Sequence, residues 1–406
     1  MNIWIFNQYA ITPDLPGGTR HYDLGRELVK RGHRVTVFAS DFIHYVYRYH
    51  RTTPKRRVFE ENVDGIDWVW IRTVAYHGNS WRRIVNMVDF SWKTFWVAIR
   101  RKERPDVIIG SSPHLLVPLC VCFLSRLYRV PFIMEIRDLW PQVFVDMGVA
   151  KANSVVVKLL ALLAKTLYHR AQHIVVLGPQ MREHIAKLGI DYNRISWIPN
   201  GADLTRFESV PPPSGGRSLK VMYLGAHGPA NALDTLIEAA KIVQDSKAEG
   251  IQFILVGDGP EKPRLVRMAE ELGLDNVEFR SPVPKSRVPE VLCEADVLVV
   301  TYAASFFNSG GSLNKLNDYM AAGRPVVLAV ELSYDPVKEA GCGLTVAPED
   351  PHALAEAIVG VCRLSSKERE AMGRRGREYV QEHHDIKKLA EELEEIVNRV
   401  VARRSK

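Results

Sequence analysis

Apolar and polar positions along this chain alternate in two successive series. Short continuous apolar runs predict strands at residues 2–6, 34–39, 67–72, 107–110, 132–136 and 173–177. Between them, apolar residues recurring every three or four positions predict helices over 20–31, 80–102, 115–129, 154–170 and 179–187. The rhythm breaks at Ile198-Pro-Asn-Gly-Ala-Asp203, and Pro211-Pro-Pro-Ser-Gly-Gly216 reads as a linker. A second series follows, with strands predicted at 220–224, 252–256, 277–279, 297–300, 326–329 and 343–346. Its helices fall at 232–245, 261–272, 285–294, 313–322, 335–339 and 351–362, and a charged helical tail covers 365–379 and 385–402. Strands that are apolar at consecutive positions are buried on both faces, so each series predicts a doubly wound parallel sheet. The fold class is therefore α/β, with two Rossmann-like domains facing each other across a cleft. The expected division is an N-terminal domain over 1–200, a linker over 201–218 and a second domain over 219–380. A last helix within 381–406 is expected to pack back on the first domain.

In such sheets ligands sit beyond the carboxyl ends of the strands, which directs attention to the turns there. One stretch, Phe307 to Val327, follows a strand and opens with small polar residues before a helix marked by Leu313, Leu316 and Met320. A glycine-rich strand-to-helix turn leaves backbone N–H groups unpaired at the positive end of a helix, a natural seat for phosphate oxygens. Lys315 adds a mobile cation one turn in, and Asp318 is placed to accept hydrogen bonds from ribose hydroxyls. The plain alternative is an ordinary turn with a solvated Lys and Asp. Near the N-terminus, Gly17-Gly18 precedes a helix and lets backbone approach a ligand. After the strand at 132–136 come Glu135, Arg137, Asp138 and Trp140, charged and aromatic side chains at a strand's carboxyl end. Here the alternative is an Arg–Asp pair tying down a loop. Gly225 closes a further strand, and Gly257 and Gly259 imitate two of the three glycines of a dinucleotide fingerprint, with Lys262 where the third would stand. His383-His384 beside Asp385 reads as a solvated helix start.

Charge changes the picture. Residues 1–200 carry 28 Lys and Arg against 16 Asp and Glu, the rest 26 against 31, and all eight tryptophans lie in the first half. A basic, aromatic half suggests an anionic surface as partner. The helix predicted from Trp81 to Ile99 gathers Trp81, Ile84, Val85, Val88, Trp92, Phe95, Trp96 and Ile99 on one face, with Arg82, Arg83, Asn86, Asp89, Lys93 and Arg100 on the other. That face either packs into the core or lies on anionic lipid, with Trp and Tyr at headgroup depth. No nucleic-acid signature accompanies the charge, so nucleic acid is not an expected partner. The five cysteines form no CxxC pair, the longest apolar run is too short to span a bilayer, and the N-terminus lacks the basic start of a leader. A cytoplasmic protein, peripheral on the inner face of the plasma membrane, is expected. No metal-ligand spacing appears, so neither metal nor resident cofactor is expected.

Together these residues resemble the family 4 retaining glycosyltransferases of the GT-B fold, in the subgroup that builds O-antigen, capsule and exopolysaccharide. The resemblance rests on Gly17-Gly18, Arg137-Asp138-Leu139-Trp140-Pro141, Ile198-Pro-Asn-Gly-Ala-Asp203, Tyr223-Leu-Gly225, Val256-Gly-Asp-Gly-Pro260 and Ser312 to Gly323. It implies a nucleotide-sugar donor, with uridine diphosphate the family-level lean, and a hexosyl or N-acetylhexosaminyl group moved to a glycan or polyprenyl-diphosphate-linked acceptor. Asp318 would match the second acid of the family's EX7E pattern and bind the ribose. Ser312, Asn314 and Lys315 would hold the diphosphate, with Gly17 and Gly18 approaching it from the other side, and Gly225 is a further donor-binding position. Arg137 and Asp138 fall where the family has a residue that touches the donor sugar, and are the catalytic candidates. Two positions depart from the pattern: Gly310 stands where the first acid falls, and His227 and Asn231 stand where a basic residue is usual. A nucleotide-sugar epimerase on the same fold and a non-catalytic scaffold are the competing readings.

Overall fold

The computed structural model describes residues 1–43, 47–78, 81–146, 151–208, 218–246, 250–304, 313–332 and 334–404. The first sheet is built from β1 (Asn2–Phe6), β2 (Arg34–Ser40), β5 (Val58–Val63) and β6 (Ile66–Ile71), with a short hairpin β3 (Phe42–Ile43) and β4 (Arg48–Tyr49) beside it. It continues through β7 (Val107–Ser112), β8 (Phe132–Ile136), β9 (His173–Val176) and β10 (Ile195–Trp197). Its helices are α1 (Arg20–Lys30), α2 (Trp81–Arg100), α3 (Leu116–Tyr128), α4 (Gln142–Asp146), α5 (Val155–Arg170) and α6 (Pro179–Lys187). The strand order is β10-β9-β8-β7-β1-β2-β6-β5, parallel except for β5. The antiparallel edge strand was not foreseen. It arises because Asp64 and Gly65 both take positive φ and close a two-residue hairpin between Val63 and Ile66.

The second sheet comprises β11 (Leu219–Leu224), β12 (Ile251–Val256), β13 (Val277–Arg280), β14 (Val297–Thr301), β15 (Val326–Ala329) and β16 (Gly343–Val346). All its pairs are parallel, in the order β13-β12-β11-β14-β15-β16. Around it lie α7 (Leu233–Asp245), α8 (Lys262–Glu271), α9 (Val288–Cys293) and α10 (Asn314–Ala321). They are followed by α11 (Pro336–Ala340), α12 (Pro351–Arg363), α13 (Ser366–His383) and α14 (Ile386–Arg404).

Period-two side-chain alternation splits each domain's core into two layers. In the first domain Trp4, Phe6, Phe38 and Phe132 pack towards α3 and α5, while Ile3, Ile5, Val35 and Val37 pack towards α1 and α14. Thus α14 sends Leu389, Leu393 and Val397 into the first domain's core although it ends the chain. The second domain repeats the plan, with Met222, Ile254 and Leu298 facing α10 and Val221, Phe253 and Val297 facing α7 and α12.

The lobes are joined where the chain crosses twice. Ala202 bridges to Asp385, and Ala202 N–H donates to the His384 carbonyl at 3.0 Å. His383 is exposed as expected of a solvated helix start, but His384 is buried and its Nδ1 lies 3.1 Å from the Asn200 carbonyl, making it part of an interlobe joint. Arg26 pairs with Asp203 at 2.6 Å and Arg206 with Asp23 at 2.5 Å, all four largely buried. Lower in the cleft, Lys285 and Ser286 N–H groups donate to the Leu15 and Pro13 carbonyls, each at 3.2 Å.

Candidate active site

Strand order reverses between β1 and β7 in one lobe and between β11 and β14 in the other, and such reversals open a crevice at the strands' carboxyl ends. In the second lobe Gly225 follows β11, Tyr302 follows β14, and α10 begins beside them. Helix α10 is fastened to β11 through Tyr319, whose hydroxyl accepts from Leu224 N–H at 2.6 Å and donates to the Leu224 carbonyl at 3.0 Å. Leu313 at its N-cap offers no side-chain oxygen, so the first N–H groups of the helix lack a side-chain cap. Asn314 at that end is exposed, and a Cβ added to Gly18 would lie 3.3 Å from its Nδ2. The structure therefore brings Gly18 of one lobe against the helix end of the other. Ser312 and Gly310 lie outside the described residues.

Lys315 is held rather than mobile. Its Nζ donates to the Tyr223 hydroxyl at 2.7 Å and to Asn231 Oδ1 at 2.8 Å, and lies 4.4 Å and 4.7 Å from the ring centres of Tyr223 and Tyr302. Solvent reaches the side chain, yet protein crowds it on every side, and burial brings its pKa down to about 7. A Cβ on Gly225 would stand 3.0 Å from that ammonium, so Gly225 is glycine to leave the cation room. Gly257 and Gly259 serve packing: a Cβ on the first would strike the Gly225 carbonyl, and on the second the His227 carbonyl. The resemblance to a dinucleotide fingerprint thus reflects two turns pressed together. His227 is fully buried between them, its pKa lowered by burial and the neighbouring Lys262 to about 4.

Asp318 is buried and ion-paired with Lys285, whose backbone docks on the other lobe at Leu15. Lys285 was missed in the sequence because it lies 33 residues from Asp318, with no local pattern linking the two. That Tyr223 and Tyr302 flank Lys315 has no local signature for the same reason, although Tyr223 itself stands in the Tyr223-Leu-Gly225 turn.

Across the cleft, Glu135 is buried and fully engaged. Its Oε1 accepts from Arg20 Nε at 2.7 Å, and its Oε2 faces His21 Nε2 at 2.8 Å and Ser111 Oγ at 2.5 Å. Arg20 in turn donates to the Ile198 and Pro199 carbonyls, tying the interlobe crossing to the sheet. His21 and Arg20 hold the Glu135 carboxyl well below the ordinary range against the opposing effect of burial. Arg137 is half-buried beyond this cluster. Asp138 is open to solvent on one side but crowded by protein otherwise. Burial raises its pKa, opposed by Arg137 and Arg83. Among the described residues, no group of three or more His, Cys, Asp and Glu side chains is placed to hold a metal ion.

Two family descriptions cover most of the chain: residues 17–201 match "Glycosyl transferase 4-like domain" and residues 218–363 match "Glycosyl transferases group 1". A putative colanic acid biosynthesis glycosyl transferase, WcaI of Escherichia coli, is 22% identical over 366 residues, 86% of this chain and 89% of its own length. The fold is shared with a sucrose-phosphate synthase of Thermosynechococcus elongatus, at a TM-score of 0.75 and 19% identity over 99% of both chains. It is shared also with HepE of Anabaena, solved in complex with UDP, at a TM-score of 0.69 and 16% identity over 98% of this chain and 100% of that one.

Proposed function

Starting from the fact that this chain belongs to the GT-B glycosyltransferases, with a 4-like first domain and a group 1 second domain, we propose a retaining transferase that uses a UDP-sugar. Its acceptor is a glycan or prenyl-diphosphate-linked sugar in surface polysaccharide synthesis, and similarity to WcaI supports the polysaccharide-synthesis part of that reading. The observation that carries it is Lys315, a crowded cation whose hydrogen-bond partners among the described residues are the neutral Tyr223 and Asn231, at the N-terminal end of α10, opposite Gly18. An anion there gains both the helix N–H groups and the ammonium. The leaving diphosphate is stabilised by those groups, and one of its oxygens takes the acceptor hydroxyl's proton, so no protein nucleophile is required. Arg137 and Asp138 face the transferred sugar, and Asp318 exchanges Lys285 for the ribose hydroxyls.

The same reading places the protein on the cytoplasmic face of the plasma membrane. Helix α2 is turned opposite to a core helix: Asn86, Met87, Phe90, Thr94 and Ala98 face inward, while Trp81 is 72% exposed and Trp92 63%. Neighbouring α3 and α5 expose Phe123, Leu127, Val155 and Leu162. These three helices carry eight Lys and Arg against one acid, Asp89. An apolar aromatic face with a basic rim is the makeup of a surface that lies on anionic lipid. No helix among the described residues is long and apolar enough to cross a membrane.

The test is transfer of radiolabelled sugar from UDP-glucose, UDP-galactose, UDP-N-acetylglucosamine and UDP-N-acetylgalactosamine to prenyl-diphosphate-linked N-acetylglucosamine in anionic vesicles. A labelled lipid product is expected. Isomerised nucleotide sugar without acceptor would favour the epimerase, and failure of UDP to raise the melting temperature would leave the scaffold reading.

A further inference from the structure

A chain of buried amides runs beneath α2 to the reversal point of the first sheet. Asn86 turns its Nδ2 to the Val74 carbonyl at 2.5 Å and to Thr73 Oγ1 at 2.8 Å. A carbonyl can only accept, so this end fixes the amide's orientation. Asn86 Oδ1 therefore takes its hydrogen from Gln8 Nε2, and Gln8 Oε1 is turned to His114 Nε2 at 2.5 Å. Since Gln8 Oε1 also only accepts, Nε2 of His114 carries the ring proton. What remains is Nδ1, a bare lone pair, buried and without a hydrogen-bond partner among the described residues. The ring is 2% exposed and Gln8 1%.

The position is not arbitrary. Gln8 follows β1 and His114 follows β7, the two strands between which the order reverses. Arg83, on the first turn of α2, is near enough to act on both His114 and Asp138. Burial, with Arg83, lowers the His114 pKa to about 3, so the ring is neutral across any working pH. A neutral lone pair cannot attract a phosphate, which brings no hydrogen. It fits a hydroxyl.

We propose that His114 Nδ1 reads a sugar: it accepts a hydrogen bond from a hydroxyl of a hexose bound in the crevice of the N-terminal domain. The inference rests on the transferase reading above. The hexose belongs either to the nucleotide-sugar donor or to the lipid-linked acceptor, and the chemistry of recognition is the same.

The experiment uses the full chain with 15N-labelled histidine, the His114 signals being assigned by their loss in His114→Gln. Unliganded protein is expected to show the Nε2-protonated tautomer with an unbonded Nδ1. The UDP-hexose that supports transfer and prenyl-diphosphate-linked N-acetylglucosamine are then added separately. A shift of Nδ1 towards a hydrogen-bonded value with the first assigns the donor hexose, and with the second the acceptor. His114→Phe should lose about tenfold in kcat/KM for that same substrate with UDP affinity unchanged, and His114→Gln, which keeps a donor towards Gln8 and brings an accepting carbonyl, should recover part of it. Transfer that proceeds with Nδ1 unmoved in both arms, as when only water sits there, overturns the inference and leaves the transferase reading standing. Absence of transfer with every pair overturns both.

Discussion

The Glu135 cluster of the first domain and the Lys315 cluster of the second both bury charge at the ends of strands, but among the described residues only the first neutralises itself. Glu135 meets a guanidinium, an imidazole and a hydroxyl, and its partner Arg20 spends its remaining donors on the interlobe crossing. Lys315 meets a phenol and an amide, both uncharged, between two aromatic rings. A buried charge that its own protein balances is a structural joint. One balanced by neutral groups is costly on its own and becomes favourable when an anion arrives.

The comparison breaks most severely at Glu135. Glu135→Gln leaves Arg20 buried without a counter-charge and should cost about 3 kcal/mol of stability, read as a fall in chemical-denaturation midpoint. A cost near zero would mean that the cluster is not the joint described. Next in size, Lys315→Met should weaken UDP binding about 100-fold by calorimetry, while the melting temperature of the unliganded protein holds or rises because a desolvated cation is gone. A lower melting temperature with UDP affinity intact would reverse the roles assigned to the two clusters.

Acid and base separate them further. The carboxyl of Glu135 is depressed in the folded state, so its stabilising contribution is complete above the ordinary value of 4.5 and is lost as pH falls towards the folded value. Glu135→Gln should therefore flatten the acid limb of the stability profile. Lys315, brought down to about 7, is charged below that pH and neutral above it in the free protein. A bound diphosphate raises its pKa, so UDP binding should take up as much as one proton above pH 7 and weaken as pH climbs. Calorimetry in buffers of different ionisation enthalpy reads this uptake, and Lys315→Met should abolish it. The smallest effect is expected outside the cleft: Trp81→Ala with Trp92→Ala should reduce co-sedimentation with anionic vesicles several-fold and leave UDP affinity untouched. Equal binding of the native protein to neutral and anionic vesicles would remove the membrane role.

Much of this was legible in one dimension. Continuous apolar strands such as Ile3–Phe6 and Phe253–Val256 announce a sheet buried on both faces, with ligands expected beyond its carboxyl ends. Gly18, Asn314 and Lys315 stand out in the sequence as candidates because a glycine-rich turn before a helix is a local pattern, and the structure brings Gly18 against Asn314. The amphipathic stripe of α2 was also visible, but not which side faces solvent: Asn86, placed on its polar side, is buried on Thr73 and Val74, and the tryptophans face outward. Periodicity reports that a helix has two faces, and only its neighbours decide which one is covered.

By itself the sequence determined the central parallel strands of the two sheets and the residue types at their ends, though not the edge strands β5 and β10, because central strands are apolar on both faces and these two are not. Tertiary structure alone decided that Lys285 meets Asp318, that Lys315 is caged by Tyr223 and Tyr302, that His384 joins the lobes and that His114 keeps one nitrogen bare. Each of these depends on groups far apart in the chain, where the partner that satisfies a buried charge or dipole is set by packing and carries no local signature.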